Sequence, residues 1–518
     1  MGKKNTKHWG SRFGVIMAVA GSAIGLGNFL RFPGQAVLNG GGAFLIPYFI
    51  SLLLLGIPLM WIEWTVGRYG GGFGHSTAPG MFHTLWQKNR FIKYFGLIGI
   101  FGPLIIFIYY CYIESWTLGY SFYSLTGRLA RIEDQDLMGQ FLLGYQGVEK
   151  NQFFSGIGPA YIFFLITFVI NLSILYHGVK NGIERFCKIA MPVLLTFALI
   201  LMLRVLTLGT PNPDQPEQNV LNGLGFLWNP DFSALKHADV WLAAAGQIFF
   251  TLSVGIGVIL TYASYLSKGD DVALSGLSAV STNEFTEVIL AGSTIVTASF
   301  IFFGATGAEE IVQGSIFNLG FVTMPLILNQ LAFSQILGFF WFFLLFLAAV
   351  TSSISISEPA IAFIEDEFDI TRKKAVVLYG SVTFVLCHLP ILFIKHGVVD
   401  ELDFWACTVC LVVFATVETI LFAWVFGIDK AWDEIHHGAD VRIPRIYKFI
   451  IKYITPVFLI ILLVSWLSQK SWAVITLQSY AEADKPYIWA TRLILIGLLI
   501  GLAIMLKISW SKKRTGSR

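Results

Sequence analysis

The sequence predicts an all-α polytopic membrane protein of twelve transmembrane helices, the first and sixth unwound near mid-membrane. Three observations carry that prediction. The 518-residue chain is 55% hydrophobic and only 13% charged, with a mean hydropathy of +0.69. Soluble domains carry roughly a quarter charged residues, so this chain lacks the polar groups to cover a water-facing surface. Twelve apolar runs reach the length of about 20 residues that a bilayer demands. They lie near 12–37, 42–68, 90–124, 159–178, 184–208, 239–266, 274–304, 332–365, 375–395, 399–426, 446–468 and 486–510. Finally, two of these runs are interrupted by glycines at their centres.

The first run contains "AVAGSAIGLGNFLRFP", residues 18–33, where Gly25, Gly27, Asn28, Arg31 and Pro33 break the apolar character. Lys3, Lys4 and Lys7 precede it; the turn Leu38-Asn39-Gly40-Gly41 that follows is uncharged. Arg68, Lys88, Arg90 and Lys93 lie between the second and third runs, and the tail carries Lys512, Lys513, Arg514 and Arg518. Positive residues stay on the cytoplasmic side, so both termini are expected there. The acidic loop 125–158, with Glu133, Asp134 and Asp136, then falls outside. The sixth run holds "IFFTLSVGIG", residues 248–257. Gly-interrupted spans in corresponding positions of two halves point to an inverted repeat with its site at the midplane. Residues 12–208 and 239–426 would be the two five-helix repeats, and 427–518 two further helices and a tail, all in one domain spanning 1–518.

The seventh run carries "STNEFTE", with Asn283, Glu284 and Glu287, and the eighth carries "AAVTSSISI", with Thr351, Ser352 and Ser353. Intramembrane carboxylates are costly and read as functional by default; Glu63, Glu114 and Glu418 are read instead as bonding helix to helix. The net charge of +3 argues against nucleic acid, and the five cysteines, Cys407-x-x-Cys410 included, read as small apolar packing residues. The start MGKKNTKHWG lacks the apolar core of a removable signal peptide.

A helix broken in hydrocarbon leaves N–H and C=O groups unpaired, at several kcal/mol each. Freed carbonyls suit a hard cation such as sodium, and an exposed half-helix N-terminus favours a carboxylate. Together they describe a pocket for a zwitterion beside a small cation.

The stretches "GNFLRFP", "NGGGAFLIPY", "IYYCYIESW", "GQIFFTLS", "TNE" and "AAVTSSI" resemble the neurotransmitter:sodium symporter family, in particular its bacterial LeuT-type amino-acid transporters. The resemblance runs from Trp9 to the twelfth run and implies a LeuT-type fold binding two sodium ions without an organic cofactor. One sodium would use backbone oxygens of Ala23 and Thr251, the side chains of Asn28, Thr251 and Asn283, and the substrate carboxylate. The second would use backbone oxygens of Gly21, Ile24 and Ala348 with the hydroxyls of Thr351 and Ser352. The substrate carboxylate would also meet N–H groups of Leu26 and Gly27, beside Gly25, and the Tyr110 hydroxyl. Its ammonium would meet carbonyls of Ala23, Phe250 and Thr251 and the Ser253 hydroxyl. Ile106, Tyr110, Phe250, Ser253, Ile256, Ser352 and Ile356 would line an uncharged side-chain pocket, implying a neutral, aliphatic or aromatic amino acid.

The same resemblance makes Arg31 and Asp403 an outer gate, and Trp9, Ser264, Tyr265 and Asp366 part of an inner one. The arginine usual three residues before the tryptophan is here Thr6, with Lys4 or Lys7 as candidate substitutes. Glu287 stands where chloride-dependent relatives carry a neutral residue beside Tyr48, Gln247, Thr251 and Asn283, which implies chloride independence and allows proton antiport. The expected role is a sodium-coupled symporter in a bacterial plasma membrane. A non-transporting sensor on the same scaffold is the alternative; a channel or an enzyme fits less well, and a homodimer is left open.

Overall fold

A computed structural model describes residues 8–314, 316–466 and 472–515, and among them the regular structure is helical throughout. Among the described residues ten helices are long and apolar enough to cross a membrane, eleven when the bent pair Arg12–Ala23 and Leu26–Leu38 counts as one span. The expected sixth span does not pass that test. It consists of two helices, Ala238–Leu252 and Val258–Ala263, flanking a non-helical stretch. Each arm is too short to cross alone, because the break falls in the middle of the apolar run.

The chain dictates both breaks locally. Ser11 caps the first helix by accepting the Gly14 N–H at 3.1 Å. The helix stops at Ile24, whose ψ of 95° turns its carbonyl out of the helical direction, and Gly25 is extended. Chain direction then changes by 57° before Leu26–Leu38. In the sixth segment Ser253, Gly255 and Gly257 all have positive φ, at 53°, 79° and 80°. Glycine tolerates that region freely. Ser253 does not, and a non-glycine held there costs of order 1–3 kcal/mol, which surrounding structure must offset.

Burial sorts the helices into a centre and a rim. In the apolar windows of Ile92–Leu125 and Ser334–Phe368, 89% and 83% of residues are buried, against 33% in Gly158–Tyr176 and 22% in Lys485–Lys512. The third and eighth segments therefore pack together at the centre beside the two broken ones, and the fourth and twelfth present apolar faces outward. The last segment is tied in by a buried ion pair. Arg492 donates through Nε to Glu401 Oε1 at 2.5 Å and to the carbonyls of Val474 and Ile475 at 2.7 Å. The Tyr480 hydroxyl and the Trp405 indole N–H donate to the same carboxylate at 2.8 and 2.7 Å.

Three other expectations need adjustment. The seventh segment runs on to Gln313 rather than ending near 304, kinked at Gly304, where φ is 67°. Arg68 is not a loop residue: it is buried inside Ile57–Gly72. Its guanidinium donates to the Asp270 and His437 carbonyls at 2.6 and 2.7 Å and pairs with Glu434 at 3.0 Å. Finally, the loop 125–158 carries a helix of its own, Gln135–Tyr145, capped by the Asp134 carboxylate.

Candidate functional site

The two breaks face each other, and side chains from the seventh and eighth segments close around them. Asn28 is the hub. Its Oδ1 accepts the Gly25 N–H at 2.8 Å, replacing a helical partner that the break removes. Its Nδ2 donates toward Thr251 Oγ1 at 3.0 Å, Asn283 Oδ1 at 2.9 Å and Glu287 Oε2 at 3.2 Å. Thr251 donates its hydroxyl to Glu287, whose other oxygen accepts from Gln247 Nε2 at 2.5 Å. Asn28, Gln247, Thr251, Asn283 and Glu287 are all buried. A helical turn of π type, Phe285–Gly292, begins just after Asn283 and Glu284 and carries Glu287; such turns often sit at functional sites. Glu284 lies alongside, accepting the Tyr48 hydroxyl at 2.7 Å. Hard oxygen donors with a carboxylate behind them suit a small hard cation.

A second group of oxygens lies where the first segment meets the eighth. Ser352 Oγ is 3.2 and 3.4 Å from the carbonyls of Ser22 and Gly21. Thr351 Oγ1 donates back to the Ala348 carbonyl at 3.0 Å. A Cβ on Gly21 would approach Thr351 to 3.1 Å, so Gly21, Ala348, Thr351 and Ser352 do converge.

Several residues expected to line the substrate pocket meet beside the first break. A Cβ on Gly25 would lie 2.9 Å from Ser352 Oγ and 3.3 Å from the Tyr110 hydroxyl, and one on Gly27 would overlap the Phe250 ring. The absence of side chains at both positions keeps this space open. The Leu26 N–H points at the Tyr110 hydroxyl at 3.4 Å. Ile106, Ile256 and Ile356 are buried apolar residues. The Ser253 hydroxyl donates to the Ser22 carbonyl at 2.9 Å and staples one break to the other, which leaves its lone pairs to accept.

Glu63 carries more than helix-to-helix bonding. Its carboxylate accepts the Gly255 N–H inside the sixth break. Glu114 does bond between helices, accepting from Asn171 Nδ2 at 2.8 Å. Glu418 makes no hydrogen bond to any described residue. Nothing local in the sequence distinguishes these three acids; only the fold does.

The proposed gates are partly assembled. Arg31 and Asp403 form no ion pair: Arg31 lies over the Phe250 ring at 4.5 Å, and Asp403 accepts the Tyr109 hydroxyl at 2.6 Å. At the other end Trp9 Nε1 donates to the Tyr262 carbonyl at 2.9 Å, with the Tyr262 ring edge-on at 5.1 Å. Tyr265 donates to Glu358 at 2.8 Å, and Arg372 grips the same carboxylate with two contacts of 2.6 Å. Ser264 bonds back to the Thr261 carbonyl, and Asp366 accepts the Ser76 N–H at 3.1 Å. Thr6, Lys4 and Lys7 lie outside the described residues. Sequence reasoning also missed Arg12, which reaches Asp271 at 2.9 Å and Asp440 at 2.5 Å.

A family model described as the sodium:neurotransmitter symporter family matches residues 6–136 and 146–513. The chain belongs to this family. An uncharacterized sodium-dependent transporter of Methanocaldococcus jannaschii is 32% identical, covering 87% of this chain and 88% of its own. The sodium-dependent nutrient amino acid transporter 1 of Drosophila melanogaster is 25% identical over 88% of this chain and 77% of its own. Among solved structures, MhsT in complex with L-phenylalanine matches with a TM-score of 0.75 and 31% identity, covering 89% of this chain and 99% of that one. The architecture is thus the LeuT type, and membership makes the chain a multi-pass membrane protein of a sodium-dependent transporter family.

Proposed function

We propose that the chain is a sodium-coupled symporter of neutral, hydrophobic L-amino acids, aliphatic or aromatic, working by alternating access and independent of chloride. The observation that carries this reading is the buried cluster of Asn28, Thr251, Asn283 and Glu287 laid across both helix breaks. Sodium bound there would take oxygens of Ala23, Asn28, Thr251 and Asn283 together with the substrate carboxylate. With the carboxylate in the ion's coordination shell, sodium and substrate each bind better when the other is present, by the same factor. The second sodium would join the first segment to the eighth through Gly21, Ile24, Ala348, Thr351 and Ser352.

Glu287 supplies the negative charge that offsets sodium, so no external anion is needed, and protonation of Glu287 on the return step would make the cycle a sodium–proton exchange. The apolar pocket around Ile106, Ile256 and Ile356 selects an uncharged side chain of some size, in keeping with the L-phenylalanine bound to MhsT. The chain would work in a plasma membrane with both termini cytoplasmic.

The test is uptake of labelled neutral amino acids into proteoliposomes under an inward sodium gradient or potassium, each with and without chloride. Accumulation that requires sodium alone is expected. Accumulation of only glycine or alanine, or a need for external chloride, refutes the corresponding part of the reading. Sodium-dependent binding without accumulation would make the protein a sensor instead.

A further inference from the structure

The two charges of the outer gate are each held elsewhere in the structure, and what holds the acid is a residue with no assigned role. Tyr109 is buried and immediately precedes Tyr110 in the third segment. A helical step of about 100° between neighbours turns the two rings to different sides, so Tyr110 meets the Leu26 N–H while Tyr109 meets the tenth segment. There the Tyr109 hydroxyl lies 2.6 Å from Asp403 Oδ1 and 3.3 Å from Cys407 Sγ. Arg31 makes no hydrogen bond or ion pair to a described residue and rests on Phe250. A half-buried guanidinium without an anion and a carboxylate held by a neutral phenol are a pair waiting to exchange partners. An ion pair is the stronger contact where water is excluded, whereas the phenol suffices while the vestibule stays wet.

We propose that Tyr109 is a positioning residue of the outer gate: it holds Asp403 in the open arrangement and releases it to Arg31 as the site closes over substrate. This rests on the symporter reading and adds to it a competitor that sets how readily the gate closes. The carboxylate makes one strong contact in each state, Tyr109 when open and Arg31 when closed. The exchange therefore costs little, and the open state is not penalised by an unpaired, half-buried acid.

The test is the dissociation rate of labelled L-phenylalanine from the full-length protein in sodium, chased with excess unlabelled ligand. Tyr109→Phe removes one oxygen and leaves the ring's packing in place. Dissociation is expected to slow roughly three- to tenfold, the effect of withdrawing one charge-assisted hydrogen bond from the open state with partial replacement by water. In an Arg31→Gln background Asp403 keeps Tyr109 in both states, so the same substitution is expected to change nothing. A purely structural role for Tyr109 would weaken binding in both backgrounds. Unchanged or faster dissociation in Tyr109→Phe, or slowing that persists with Arg31→Gln, overturns the proposal. Failure of the unsubstituted protein to bind any labelled neutral amino acid in sodium refutes the symporter reading itself.

Discussion

Glu63 offers the sharpest test of how the sixth break is held. It projects from Ile57–Gly72 into the unwound stretch and is fully buried. Glu63→Ala deprives the Gly255 N–H of its acceptor. A buried donor left unmade costs about 1–3 kcal/mol. Part is offset because the substitution also removes Oε2, a buried oxygen with no partner among the described residues. The net cost is about 1–2 kcal/mol, or roughly five- to thirtyfold at 1.4 kcal/mol per decade. That factor is the ceiling on the loss of apparent affinity, reached if the intact break is only marginally favoured. The assay is a sodium titration of labelled L-phenylalanine binding, with thermal unfolding in detergent run in parallel. Glu63→Gln keeps one carbonyl-type oxygen as acceptor and is expected within about threefold of the unsubstituted protein. A Glu63→Ala protein matching the parent in both sodium affinity and melting would falsify the argument that this carboxylate holds the break.

Other predictions follow from the same contacts. Asn28→Ala orphans the Gly25 N–H and removes an oxygen proposed to face sodium, so the sodium concentration for half-maximal binding should rise about tenfold or more; an unchanged value counts against the cluster as the ion site. Gly27→Ala places a methyl group on the Phe250 ring, and uptake of aromatic amino acids should fall about tenfold while the fold is kept, as judged by circular dichroism. Arg372→Met strips the buried Glu358 of its cation and should cost about 3–5 kcal/mol in unfolding experiments, with partial rescue by Glu358→Gln. Arg12→Ala should cost under about 1 kcal/mol, because the arginine side chain is 45% exposed and water screens the pair; a larger loss would give Arg12 a role beyond its ion pairs.

Much of the architecture is legible in the sequence because a bilayer enforces simple rules. A long apolar run between basic ends reads as a span, and Gly25, Gly27, Gly255 and Gly257 mark the breaks by type alone. The convergence of Asn28, Thr251 and Asn283 follows once the segments are known to face each other, which hydropathy cannot say but the motifs can. What stays hidden depends on tertiary geometry. Glu63, Glu114 and Glu418 look alike as single acids in apolar runs, yet one bonds the sixth break, one an asparagine and one no described residue. Ser253 reads as a pocket hydroxyl, and its further bond to the Ser22 carbonyl, which ties one break to the other, leaves no sign in the sequence. The separation of Arg31 from Asp403 is equally invisible, because an arginine and an aspartate nearly 400 residues apart carry no sign of which other side chains compete for them.

The buried pair of Glu401 and Arg492 bears on how modular the chain is. Two helices that follow the ten expected to form a repeat look like a part that could be trimmed or exchanged. Arg492, Tyr480 and the carbonyls of Val474 and Ile475 nevertheless all sit beyond the eleventh segment, and all serve a carboxylate system on the tenth. Cutting the chain ahead of them would strand a fully enclosed negative charge two positions from Asp403. A chimera that borrows its last two helices from a relative therefore has to borrow the acid at 401 or its equivalent as well, so the natural joint for grafting lies before the tenth segment rather than after it.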